Sequence, residues 1–113
     1  MSRVAITGIG ILSPGAIGVD SFRTLLGSGQ SSIALIDRFD TEGLKSHRAA
    51  LVRGFQARDF IAPMKLRRMN TLSRYALAAA KMALEESGLE AGRRDETGVA
   101  IGTMFGPVQT SVS

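Results

Sequence analysis

At 113 residues the chain has the length of about one domain, and 44% hydrophobic against 21% charged residues supports a packed core and argues against disorder. It holds no cysteine, which excludes a disulfide, a thiolate metal site or a cysteine nucleophile within these residues. Fourteen basic against ten acidic residues give a net charge of +4, enough to favour an acidic partner and too weak for a dedicated nucleic-acid binder. No apolar run is long enough to span a membrane, and the short run after Met1-Ser2-Arg3 lacks the length of a signal-peptide core. A cytoplasmic protein without membrane or nucleic-acid contacts is the expectation.

In chain order, Val4-Ala5-Ile6-Thr7-Gly8-Ile9-Gly10 reads as a strand that is apolar on both faces, as in a buried α/β sheet, and runs into a glycine turn. Residues 11–18 read as a loop broken by Pro14-Gly15. Asp20 suits the cap of a helix from Ser21 to about Gly27, with Phe22, Leu25 and Leu26 on its buried face. Residues 28–48 look irregular, and Ala49-Ala50-Leu51-Val52 reads as a short strand. Phe55, Phe60 and Ile61 anchor a loop or short helix before Pro63.

The stretch from Asn70 to Gly88 is a long helix marked at both ends. Asn70 can accept an orphan amide of the first turn, and Gly88 suits the left-handed position past the last. Its alanine-rich middle is small and apolar nearly all round, the pattern of a helix buried between layers. After a polar segment, Thr97 to Thr103 reads as a second buried strand, and Met104 to Ser113 opens a new turn or helix. Two or three parallel strands do not close a sheet, and an embedded helix needs a layer on each side. The chain therefore reads as part of a larger α/β fold.

Few residues carry chemistry. Gly8-Ile9-Gly10 after a strand invites a dinucleotide-binding reading, but Ser13 stands where the third glycine belongs and no helix starts there. Glycines for a tight strand exit explain the pair better. His47, the only histidine, has no cysteine or second histidine to share a metal and reads as a solvated loop residue. Ser13, Ser73 and Ser87 lie in no G-x-S-x-G context, and Glu85-Glu86 reads as a solvated pair. Lys65, Arg67 and Arg68 form a basic cluster just ahead of the long helix. They either steer an acidic protein partner or form a plain charged lead-in.

Several blocks together resemble one family. Arg3 to Pro14 is similar to the opening strand of the β-ketoacyl-acyl-carrier-protein synthases. Arg67-Arg68-Met69-Asn70 through Ala76-Leu77-Ala78-Ala79-Ala80 resembles their R-R-M-D…Y-A-L-A-A-A helix, and Gly98 to Thr103 resembles the strand that follows. Phe22 to Gly29, Ile36 to Asp40 and Glu85 to Leu89 fall in the family's order and spacing.

The resemblance implies a thiolase-like α-β-α-β-α layered fold, of which residues 1–113 form an incomplete N-terminal ketosynthase segment. It implies decarboxylative Claisen condensation of an acyl group with malonyl carrier protein, in fatty acid or polyketide-type synthesis. The acyl-bearing cysteine and two assisting histidines of the family have no counterpart here, so the segment alone is expected to be inactive, with no cofactor and no metal.

Arg67 and Arg68 match basic positions that face the acidic acyl carrier protein in the family, Lys65 stands beside them, and Met64 replaces a further basic residue of some members. Phe105 matches a position that lines and gates the acyl pocket near the dimer interface. Met104 and Pro107 stand where relatives often have glycine, so Met104 and Phe105 should shorten or reshape the tunnel. Asn70 replaces the usual aspartate at the cost of one negative charge. The expected assembly is a homodimer, or a heterodimer with another ketosynthase-like chain. The alternatives are a non-catalytic chain-length factor that pairs with an active ketosynthase, and a small module that binds an acidic partner.

Overall fold

The computed structural model describes residues 2–108. They fall into two compact units, one spanning Ile11–Phe55 and one made of the segment up to Gly10 together with the chain from Gln56 onward. Both contain mixed or helical structure of short reach, and among the described residues no helix is long and apolar enough to cross a membrane.

In the Ile11–Phe55 unit, the expected loop at 11–18 is a tight hairpin. Strands β1 (Leu12–Ser13) and β2 (Ala16–Ile17) pair antiparallel, with Leu12 opposite Ile17 and Ser13 opposite Ala16. Pro14 fixes its own φ, and Gly15 at φ 84° supplies the positive value that a turn of this kind needs after a proline. Helix α1 (Val19–Ser28) starts earlier than its sequence suggests. Gly18 is the residue at the cap and donates no side chain, while Asp20 sits inside the first turn, 3.6 Å from Arg23. Phe22 and Leu25 are half-buried and Leu26 is exposed, so the apolar face of α1 is covered only in part.

The segment at 28–48 is not irregular throughout. Strand β3 (Ile33–Leu35) pairs antiparallel with β4 (Arg48–Ala50), Ala34 opposite Ala49. The strand expected at 49–52 thus begins one residue earlier and stops at Ala50. Arg53 donates to the Asp37 carboxylate at 2.7 Å, and Arg38 to the Val52 carbonyl, which ties the two arms below the ladder. That ion pair, through its hydrogen bond first, holds the Asp37 carboxyl below its ordinary range and raises Arg53.

In the other unit, α2 (Pro63–Leu66) opens on proline, whose missing N–H costs nothing in a first turn. A 3₁₀ turn at Ala57–Asp59 precedes it, and Ile61 and Leu66 are its buried anchors. Helix α3 (Thr71–Ser87) has the ends its sequence specifies. Asn70 Oδ1 accepts from Ser73 N at 2.8 Å, and Gly88 closes the helix at φ 65°. Within these residues its burial is one-sided. Ala78 alone is fully buried, with Tyr75, Ala79, Met82 and Ala83 partly covered beside it, whereas Leu72, Ala76, Leu77 and Ala80 are exposed. One face is packed and the opposite apolar face is bare, so within these residues α3 is a surface helix and not one enclosed between layers.

The two strands expected at 4–10 and 97–103 pair with nothing among the described residues, and both observed ladders are antiparallel, not parallel. A strand is a strand only against a neighbour. Val4 is 94% exposed and Val99 85%, so these runs keep the composition of buried strands without the sheet that would bury them. The polar segment near residue 90 forms a 3₁₀ stretch, Ala91–Glu96. Of the turn or helix expected at 104–113, residues 104–105 form a bend, Val108 is helical, and residues 109–113 lie outside the described residues.

Candidate functional site

The basic cluster is built by α2 and the turn that follows it. Leu66 is drawn inward, and its carbonyl accepts from Met69 N at 3.2 Å and from Arg74 Nη2 at 2.9 Å, which locks the turn onto α3. With Leu66 pinned, Met64, Lys65, Arg67 and Arg68 are left on the outside, and all four are exposed. None of the three cations takes part in an ion pair or side-chain hydrogen bond among the described residues. The surface is therefore a compact positive patch on a fixed scaffold, with its charges unspent and Met64 among them. Such a patch can attract a carboxylate-rich surface and orient it.

Beside the patch lies a groove of about 380 Å³ that sequence reasoning missed. Its floor is Ile61, Leu77, Ala80 and Leu84, and Lys65 stands on its rim. Lys81 bridges across it, donating to the Phe60 carbonyl at 3.1 Å. The signal available in the sequence was the pair of apolar rows on α3, of which only one can face the unit's own core.

Met104 and Phe105 are brought together with neither the patch nor the groove. They lie on an exposed bend, Phe105 with 78% of its surface open, where Gly106 N donates to Thr103 Oγ1 at 3.3 Å.

The glycine pair has a structural task. Gly8 and Gly10 lie against the backbone of α3: a methyl group on Gly10 would overlap the Ala79 carbonyl oxygen, with the carbonyl carbon at 2.7 Å, and one on Gly8 would stand 2.8 Å from Ser87 N. Between them, Ile9 N donates to Glu86 Oε2 at 2.6 Å. Glu86 is thus a latch for the amino-terminal segment and not a free surface charge. The nearest group to each of these glycines is a helix carbonyl oxygen, which repels a phosphate, so the pair is not a pyrophosphate cradle. His47 is exposed and its Nδ1 lies 2.8 Å from Thr41 Oγ1. Among the described residues no three His, Cys, Asp or Glu side chains are grouped to hold a metal.

Comparison with known proteins identifies the class. Residues 1–113 match the family model described as beta-ketoacyl synthase, N-terminal domain. The chain is 38% identical to 3-oxoacyl-acyl-carrier-protein synthase 2 of Vibrio cholerae over 95% of its own length and 26% of that protein's. It is also 38% identical to a putative polyketide beta-ketoacyl synthase 1 of Streptomyces cyaneus, over 88% of this chain and 24% of the relative. Among solved structures, the ishigamide ketosynthase/chain length factor superposes with a TM-score of 0.70 at 35% identity, over 82% of this chain and 22% of that one. The chain belongs to the β-ketoacyl synthase family, within the N-terminal domain. It spans about a quarter of the length of the relatives it matches.

Proposed function

We propose that the polypeptide to which these residues belong is a β-ketoacyl-acyl-carrier-protein synthase. It catalyses decarboxylative Claisen condensation of an acyl group with malonyl carrier protein, in the cytoplasm and in fatty acid or polyketide-type synthesis. The observation that carries this reading is the 38% identity over 95% of the chain to a 3-oxoacyl-acyl-carrier-protein synthase. Residues 1–113 then form an N-terminal segment of a thiolase-like α-β-α-β-α fold. Its exposed apolar runs at 4–9 and 99–101 are the ones a larger sheet would cover. A segment with no cysteine and one exposed histidine contains no condensing machinery of its own.

Within this segment the proposed contribution is docking. Lys65, Arg67 and Arg68 receive the acidic carrier protein, and their exposure and unspent charge support that role. Met104 and Phe105 line the acyl tunnel near a dimer interface once that interface covers them, and their bulk shortens the tunnel. In the full-length polypeptide, Arg67→Glu with Arg68→Glu should raise KM for the carrier-bound substrate about tenfold and leave kcat nearly unchanged, because rim charges act mainly on encounter. An unchanged KM removes the docking assignment.

A second reading is favoured by one observation, the likeness to a ketosynthase/chain length factor. In it the polypeptide is a non-catalytic subunit paired with an active ketosynthase. Condensation by the full-length protein alone supports the first reading; condensation only after adding a ketosynthase partner supports the second.

A further inference from the structure

Arg74 ends the first turn of α3, and its side chain serves a different helix. A long side chain on a helix leans back toward the amino-terminal end, which here is the turn that follows α2. The half-buried Arg74 donates from Nη2 to the Leu66 carbonyl at 2.9 Å. Leu66 is the last residue of α2, so that carbonyl is one of the acceptors a helix end leaves without an internal partner. A basic side chain can close such an end, and Arg74 does so from the neighbouring helix. The short helix has little else to hold it. Its four residues are too few for a stable helix by themselves. The backbone bonds of the turn are long, 3.3 Å from Arg68 N to the Lys65 carbonyl and 3.2 Å from Met69 N to that of Leu66. Arg67 and Arg68 lie in sequence between the two residues joined by the Arg74 bond, and both are exposed. The Arg74 Nε is buried without a hydrogen-bond partner, and Arg74 forms no ion pair among the described residues. No carboxylate here competes with Leu66 for the guanidinium.

We infer that Arg74 is a positioning residue: by holding the Leu66 carbonyl it fixes the turn that carries Arg67 and Arg68, and it does not itself touch the partner. The inference rests on the carrier-docking reading above and adds to it a residue that acts only through the other two. Two long cations on a loose turn keep their charge and still attract an acidic surface. They must then be ordered as the partner arrives, and that loss of freedom weakens binding. A turn already fixed during folding avoids it. A direct contact would behave differently. Arg74 would then add its own charge to the patch, and its removal would act independently of Arg67 and Arg68.

The test uses the full-length polypeptide, with KM and kcat measured for one acyl group carried either on the carrier protein or on free pantetheine. Arg74→Met keeps an apolar stem and a good helix former while removing the donor. It should raise KM for the carrier-bound substrate about fivefold and leave both kcat and turnover of the pantetheine thioester nearly unchanged. Arg74→Lys keeps the charge and a donor, and should recover most of the loss. With Arg67→Ala and Arg68→Ala already in place, Arg74→Met should change KM by less than about twofold, because its effect passes through those residues. A further fivefold rise on that background would make Arg74 a contact in its own right and overturn the inference. Equal losses with both substrates, together with a lower melting temperature, would make it a support of the fold alone and overturn it too. If the alanine pair raises KM and Arg74→Met does not, the inference falls and the docking reading stands. If the alanine pair leaves KM unchanged, both fall. Arg74→Gln, whose shorter side chain stops before the carbonyl, repeats the test should the methionine variant fail to fold. It should raise KM for the carrier-bound substrate severalfold, and an unchanged KM overturns the inference.

Discussion

Glycine 10 shows what a single side chain decides in this molecule. The amino-terminal segment reaches α3 so closely that the first carbon of any side chain would meet the Ala79 carbonyl. Gly10→Ala should therefore cost about 1–3 kcal/mol, the range for forcing atoms into filled space, since the helix backbone cannot yield as a side chain can. Asn70→Ala removes the acceptor for Ser73 N and should cost about 1 kcal/mol. Denaturant melts of the full-length polypeptide should rank Gly10→Ala as the more damaging, and the reverse order would show that the segment is not held against α3.

The Asp37 carboxyl provides a residue-scale test by pH. Its folded pKa is lowered, chiefly by the hydrogen bond from Arg53. The pair therefore contributes stability above the ordinary carboxylate value of about 3.9, and that contribution is lost as pH falls through the lower folded value. A carbon-13 titration should find the Asp37 carboxyl still largely ionised where free aspartate is half protonated, and Arg53→Gln should raise its midpoint toward the ordinary value. A midpoint unaffected by Arg53→Gln would mean that the pair does not persist in solution.

At the scale of elements, what could be read from the sequence followed how local the causes are. The ends of α3 were legible because a cap is a contract between neighbours: Asn70 serves an amide three residues on, and Gly88 supplies its own positive φ. The strands were less legible because a ladder needs a partner. Ile33–Leu35 has one in Arg48–Ala50, far along the chain, and looked irregular in isolation. Val4 to Gly10 has the stronger strand composition and has none here. Which face of α3 these residues cover was hard to read for a related reason. Alanine is equally at home in a core and on an exposed helix, so an alanine-rich middle does not say which face is covered. The positive patch was legible as charge, but its exposure depends on Leu66 turning inward, which only packing reveals. The groove beside it, and the task of Glu86 as the acceptor for Ile9 N, arise from residues distant in sequence.

For the whole molecule the decisive feature is apolar surface without a partner. Val4, Ile6, Val99 and Ile101 are all exposed, and the chain covers about a quarter of the relatives it resembles. Surface of this kind binds other apolar surface. The 113-residue chain made alone should melt without a sharp transition and bind a hydrophobic dye, while the full-length polypeptide should melt cooperatively and not bind it. A sharp melt of the short chain would favour a self-sufficient module that binds an acidic partner through Lys65, Arg67 and Arg68.

The central claim is that these residues belong to a condensing enzyme, and the most direct test is its reaction. The full-length polypeptide is incubated with malonyl carrier protein and an acyl-loaded donor, and carbon dioxide and the carrier-bound product are followed together. Release of carbon dioxide matched by a β-ketoacyl product two carbons longer than the donor is the predicted result. No condensed product from the protein acting alone contradicts it.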